Sequence, residues 1–197
     1  MRADFTGALT SWLVRQGAID PSDYAIYEFS IYSIVWGLLP IFISFIWGVI
    51  FQKIAESLLL ILPFIVIRKF SGGFHFSSPR VCFVFSTVLL GGSVLSIDFF
   101  QAESRNTLLI SLVILSLMEL CCFSPVSSGA RELTIAEKKL FKKTTQIIGI
   151  SLALVFFVLM KFGGQKYGVP IGVGITLPAL LQIPAVIMVL LRGSDQK

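Results

Sequence analysis

Residues Arg68 to Cys82, RKFSGGFHFSSPRVC, separate two apolar runs and carry the single histidine of the chain, His75, seven positions before a cysteine, Cys82. A thiol acts as a nucleophile through its thiolate, which a nearby imidazole, cationic side chains or a helix N-terminus all favour. The stretch offers each of these: His75, the cations Arg68, Lys69 and Arg80, and Pro79, which suits the first turn of a helix leading into Cys82. On an unbroken helix, residues seven apart share a face but stand about 10 Å apart along the axis, too far for proton transfer. A working pair therefore requires a break. Gly72 and Gly73 admit backbone conformations closed to other residues, and Pro79 disfavours helix at Ser78, so a turn bringing His75 back toward Cys82 is expected. The competing reading makes His75 an interfacial hydrogen-bonding residue and Cys82 a small apolar filler. A metal centre has less support, because His75, the three cysteines and Glu119 show neither CxxC nor HxxxH spacing. No metal or other cofactor is expected.

The elements that must position this stretch are membrane helices. Of 197 residues, 55% are hydrophobic and 14% charged, more apolar surface than a soluble chain of this size can hide. Ile31 to Phe51, Val81 to Ile97, Thr144 to Met160 and Tyr167 to Leu191 lack Asp, Glu, Lys and Arg entirely, and a crossing helix needs about 20 apolar residues. Thr107 to Phe123, with Glu119 as its one charge, makes a fifth span. Ile54 to Ile67 makes a short sixth that is either a snorkelling span, with Lys53 and Glu56 at one surface, or a re-entrant segment. Phe5, Leu9, Trp12 and Leu13 recur at helical spacing among Arg2, Asp4, Arg15 and Gln16, the pattern of an interfacial helix. No continuous apolar core before Asp20 suits a secretory signal. In DPSD, Asp20 is a helix N-cap, Pro21 the first helical residue and Asp23 a first-turn acid, and this helix is expected to continue into the first span. The fold expected is all-α: a polytopic membrane protein of about six transmembrane helices forming one domain over 1–197, with an interfacial amphipathic helix in 1–20, a catalytic segment in 68–82 and a basic loop in 124–143.

Charge sets the orientation. With both termini inside, the cytoplasmic segments hold Arg2, Arg15, Arg68, Lys69, Arg80, Arg131, Lys138, Lys139, Lys142, Lys143, Arg192 and Lys197, twelve of the sixteen basic residues, and the outer loops hold Lys53, Arg105, Lys161 and Lys166. Cys82, Cys121 and Cys122 then all lie at the reducing side, which argues against disulfides. Lys138, Lys139, Lys142 and Lys143 recur at four-residue spacing as one basic helical face, able to hold an acidic substrate tail or to rest on anionic lipid. Glu119 is a functional candidate by its cost in hydrocarbon, with snorkelling as the alternative. Pro170, Pro178 and Pro184 with Gly168, Gly172 and Gly174 in the last span fit either kinking and close packing or a transport path.

RKFSGGFHFSSPRVC resembles the signature of the accessory gene regulator B family, membrane cysteine endopeptidases of Gram-positive bacteria. The shared pattern is an Arg, a Gly pair, a His and a Cys seven residues later, and the length, polar N-terminal segment, six apolar runs and the loop FSPVSSGARELTIAEKKLFKK extend it along nearly the whole chain. The loop departs from the family in one respect, reading SSGARELT with no second proline. The resemblance implies His75 and Cys82 as the catalytic pair, with Arg68 and Gly73 supporting the site. It implies cleavage of a small amphipathic autoinducing peptide precursor through a Cys82 thioester, followed by thiolactone or lactone ring closure in quorum sensing. It further implies a cell-membrane location, a homodimer, and membrane lipids and the precursor as partners, with no nucleic acid. A small transporter or channel using Glu119 and the proline-rich last span is the alternative function, and a non-catalytic membrane scaffold a third.

Overall fold

The structure, a computed structural model, describes residues 4–73, 78–126 and 134–194. Residues 1–42 and 43–197 form two compact units. In the first, α1 (Asp4–Arg15) and the start of α2 (Tyr24–Ile50) are joined by a turn of 3-10 helix, Pro21–Asp23. The turn is built as DPSD implies. Asp20 caps it by accepting at Oδ1 from the Ser22 hydroxyl (2.6 Å) and amide (2.8 Å), and these bonds hold its carboxyl below the usual carboxylate range. The Tyr24 hydroxyl donates to Gly7 O (3.2 Å), and Thr6 and Thr10 are buried while Phe5 and Trp12 are exposed.

The second unit contains the end of α2 with α3 (Ile54–Ser71), α4 (Pro79–Gln101), α5 (Asn106–Phe123), α6 (Ile135–Lys161) and α7 (Gln165–Ser194). Among the described residues five helices are long and apolar enough to cross a membrane, within Pro21–Ile50, Val81–Gln101, Asn106–Phe123, Ile135–Lys161 and Gln165–Met188. Each carries one of the apolar runs read from the sequence, and the protein is an all-α polytopic membrane protein. The shortest run, Ile54 to Ile67, lies in α3, whose 18 residues include Glu56, Arg68 and Lys69. Its middle needs little lipid, because Leu60, Ile61 and Ile67 are fully enclosed by protein.

Side-chain contacts fix the path of α3. At its start Lys53 pairs with Asp98 at the end of α4, and Glu56 Oε1 lies 3.8 Å from Lys166 Nζ at the start of α7. At its end Ser71 meets Gln182 of α7 and Val126 beyond α5. Hence α3 runs parallel to α7 from residue 166 to residue 182, about 24 Å at 1.5 Å per residue. That depth approaches the ~30 Å of hydrocarbon a span must cross.

The most enclosed span is α7, with 61% of its apolar stretch inside the fold against 17 to 28% for the other four. Small residues allow this. A Cβ at Gly174 would overlap the Leu60 carbonyl oxygen of α3, and one at Gly172 would come within 2.7 Å of the Phe156 ring of α6. Close packing thus accounts for these two glycines of the last span. The same device seats the end of α2: Gly48 leaves room for the Ser57 hydroxyl, and Gly91 of α4 for the Trp47 ring, whose Nε1 donates to Thr87 O (3.0 Å).

A direct test contrasts two glycines. Gly174→Ala should destabilise the protein by about 1–3 kcal/mol, because the clash is with backbone that cannot swing aside. Gly92→Ala, with open space where the methyl would go, should be neutral or slightly stabilising. Thermal unfolding of the purified proteins in detergent reads both.

Candidate active site

The helix break that a His75–Cys82 pair demands lies between α3, which ends at Ser71, and α4, which begins at Pro79. Gly72 (φ 70°, ψ −150°) and Gly73 (φ 131°) hold conformations that side chains resist, and both lack room for one. A Cβ at Gly72 would overlap Val126 O, and one at Gly73 would overlap the Arg68 guanidinium. Ser78 is extended (φ −95°, ψ 120°), as a residue preceding proline should be, and Pro79 starts the helix with its fixed φ and missing N–H. His75 itself lies outside the described residues.

Cys82 completes the first turn of α4, its amide donating to Ser78 O (3.0 Å), and its half-buried side chain is a free thiol. Arg68 curls over the end of its own helix and donates from Nη1 to Gly72 O (2.9 Å). The Cys82 sulfur lies within electrostatic range of that guanidinium. Arg68, Gly73 and Cys82 therefore gather at one junction, and Gly73 needs to be glycine because its φ of 131° is one that side chains resist.

The four lysines stand at the same end of the second unit. Lys138, Lys139, Lys142 and Lys143 are exposed on the first turns of α6, where Phe141 packs edge-on against Phe70 of α3 (ring centroids 5.8 Å apart). The expected loop over 124–143 is shorter than its sequence range, since α6 begins at Ile135. A capping box starts that helix: Thr134 Oγ1 accepts from Glu137 N (3.3 Å), and Thr134 N donates to Glu137 Oε2 (2.9 Å). The pattern Thr134-x-x-Glu137 was the available signal. Cys121 and Cys122 are free thiols in the last turn of α5, with Gln146 Nε2 of α6 donating to Cys121 O (3.3 Å). Glu119, one turn of helix earlier, is placed with both carboxylate oxygens enclosed and, among the described residues, without a hydrogen-bond partner. Among the described residues no three His, Cys, Asp or Glu side chains are grouped to hold a metal ion.

One group of site residues carried no local sequence signal. Ser71, Ser124, Val126 and Gln182 form a buried polar cluster where α3, the segment after α5 and α7 meet. Ser71 O accepts from Val126 N (3.0 Å) and Gln182 Nε2 (3.1 Å), Ser124 Oγ donates to Gln182 Oε1 (3.1 Å), and Gly72 and Val126 form a single parallel β-bridge. The one hint was Gln182 itself, the lone amide side chain between Tyr167 and Leu191.

The chain matches the family model of accessory gene regulator B over residues 7–186. It is similar to the accessory gene regulator protein B of Staphylococcus lugdunensis, with 21% identity over 173 residues that cover 88% of this chain and 89% of that protein. No solved structure matches it. The family match spans the broken helix, the cysteine on α4 and all five apolar spans nearly to their ends, and the chain belongs to the accessory gene regulator B family.

Proposed function

We propose that the protein is a membrane-embedded cysteine endopeptidase that processes a small autoinducing peptide precursor for quorum sensing. The observation that carries this reading is the junction itself: a helix broken by two glycines, a cysteine in the first turn of the next helix, and a cation held beside both. Family membership supports the same substrate class.

In this mechanism His75 takes the proton of the Cys82 thiol, and the thiolate, attracted by Arg68, attacks the scissile carbonyl of the precursor. The C–N bond breaks as His75 returns its proton to the departing amine. The C-terminal piece leaves, and the remainder stays on Cys82 as a thioester. A thiol or hydroxyl within the bound peptide then gives its proton to His75 and attacks the thioester carbonyl; the C–S bond to Cys82 breaks, the ring closes, and the Cys82 thiolate takes the proton back. Ring closure outruns hydrolysis where the peptide is held folded and water is scarce. Lys138, Lys139, Lys142 and Lys143 hold an acidic precursor tail or the anionic lipid surface. The enzyme acts as a homodimer in the bacterial cell membrane, with both termini and the catalytic segment cytoplasmic.

Cleavage of co-expressed precursor, normalised to inserted enzyme, tests the pair. Cys82→Ala should abolish it, and His75→Gln should lower it by about 10²–10⁴-fold. The double variant should be little worse than either alone, because groups acting as a unit lose activity non-additively. Cys121→Ser with Cys122→Ser should retain cleavage, and robust cleavage by Cys82→Ala would end the thiol-peptidase reading.

Orientation has its own check. In a Cys-free background, cysteines at Ser78 and Ser128 should resist an impermeant thiol reagent in intact cells and react after permeabilisation. Labelling of both in intact cells would invert the topology.

A further inference from the structure

The last turns of α2 join the two helices that carry the site. Arg68 lies in the last turn of α3 and Cys82 in the first of α4, yet these two helices touch each other less than either touches α7. Neighbouring stripes of α2 reach one helix each. Ser44 and Gly48, one turn apart, face α3: the Ser44 hydroxyl donates to Ser57 O (3.0 Å), and a Cβ at Gly48 would overlap the Ser57 hydroxyl. Trp47, on the adjoining stripe, faces α4: its Nε1 donates to Thr87 O (3.0 Å), and its ring lies 2.7 Å from where a Cβ at Gly91 would stand. In an α-helix the amide of Gly91 is the regular partner of Thr87 O, so the indole reaches the second lone pair of that carbonyl across a residue with no side chain. Phe51, one turn on, stacks against the indole with ring centroids 5.2 Å apart and holds its tilt.

Packing on α4 thins toward Cys82. Leu90, Val94 and Ile97 are buried, whereas Val81, Phe83, Val84, Phe85 and Val88 are exposed. Thr87 lies five residues beyond Cys82, about 7.5 Å along the axis, so Trp47 grips the helix at the border between its packed and its open part. A rotation of α4 by about 20° would swing a side-chain atom about 5 Å from the axis through about 2 Å. A misplacement of about 1 Å can cost about 10²-fold in rate. The same rotation would change the approach of the Cys82 sulfur to the Arg68 guanidinium, which α3 holds within electrostatic range of it.

We propose that Trp47 is a positioning residue for Cys82: seated on Gly91 and bonded to Thr87 O, it fixes the rotation of α4 and with it the placement of the thiol beside Arg68. The proposal rests on the thiol-peptidase reading. Trp47 touches no reacting atom and acts through α4.

The test reads the electrostatic surroundings of the sulfur. Full-length protein in detergent micelles, with Cys121→Ser and Cys122→Ser leaving Cys82 as the sole thiol, is alkylated in parallel with anionic iodoacetate and neutral iodoacetamide. Both reagents form the same S–C bond and release iodide, so the ratio of their rates reports the positive potential at Cys82. Arg68→Gln should lower that ratio by roughly two- to fivefold. Trp47→Leu should lower it as far, and should add nothing when combined with Arg68→Gln. Two milder variants decide the matter should Trp47→Leu fold poorly: Trp47→Phe, which keeps a ring and loses the N–H, and Gly91→Ala, whose methyl presses on the indole from α4. Both should lower the ratio. A residue that only stabilises the fold would lower the melting temperature and leave the ratio alone. In proteoliposomes with precursor, the Trp47 variants should lower kcat by about 10- to 10²-fold with KM little changed. If Arg68→Gln lowers the ratio while the Trp47 and Gly91 variants do not, or if they lower it and cleavage stays normal, the positioning role is overturned and the peptidase reading stands. An unchanged ratio in Arg68→Gln also overturns it, since the guanidinium then does not act on Cys82. Robust cleavage by Cys82→Ala would remove the peptidase reading, and this proposal with it.

Discussion

The carbonyl of Ser71 is where the demands of a membrane and of the proposed His–Cys pair collide. Within a bilayer every backbone donor and acceptor must find a partner inside the protein, which is why helices dominate and why breaking one is costly. A His and a Cys seven residues apart can meet only if the helix breaks. The chain breaks it between Ser71 and Pro79 and supplies the missing partners from elsewhere: Arg68 to Gly72 O, and Val126 and Gln182 to Ser71 O. Gly72 and Gly73 follow from this arrangement, since a side chain on either would occupy the space of Val126 O or the Arg68 guanidinium.

Those partners are in place only because α7 has one register against α3. Gly174 packs on the Leu60 carbonyl, and eight residues later, about 12 Å along the axis, Gln182 reaches Ser71. Two separated contacts of this kind fix both rotation and translation of a helix pair. At the opposite end the Glu56–Lys166 pair closes the same two helices with charge, while Lys53–Asp98 ties the turn before α3 to α4. The exposed pairs contribute little energy individually, and the glycine contact and the buried amide determine the register.

Much of this was legible in the sequence, for local reasons. Uncharged runs gave the spans, DPSD the turn into α2, and Gly72, Gly73 and Pro79 the break, because each effect acts within a few residues. What escaped was long-range. Nothing near Gln182 says that its partner is Ser71, and nothing near Gly174 says that it faces Leu60. The capping box at Thr134 and Glu137 was local and readable, and it sets where the helix that carries the four lysines begins. Glu119 was open to snorkelling or function, and the enclosure of its oxygens is not readable from its own run.

The proposed function makes Cys82 the residue that carries the acyl group while a nucleophile in the bound peptide closes the ring. The most direct measurement is to mix enzyme with precursor, quench in acid and map covalent adducts by mass spectrometry with and without hydroxylamine. The account predicts the N-terminal part of the precursor attached to the peptide containing Cys82, through a bond that hydroxylamine cleaves. An adduct on Cys121 or Cys122, or rapid cleavage with no thioester on any cysteine, would contradict it.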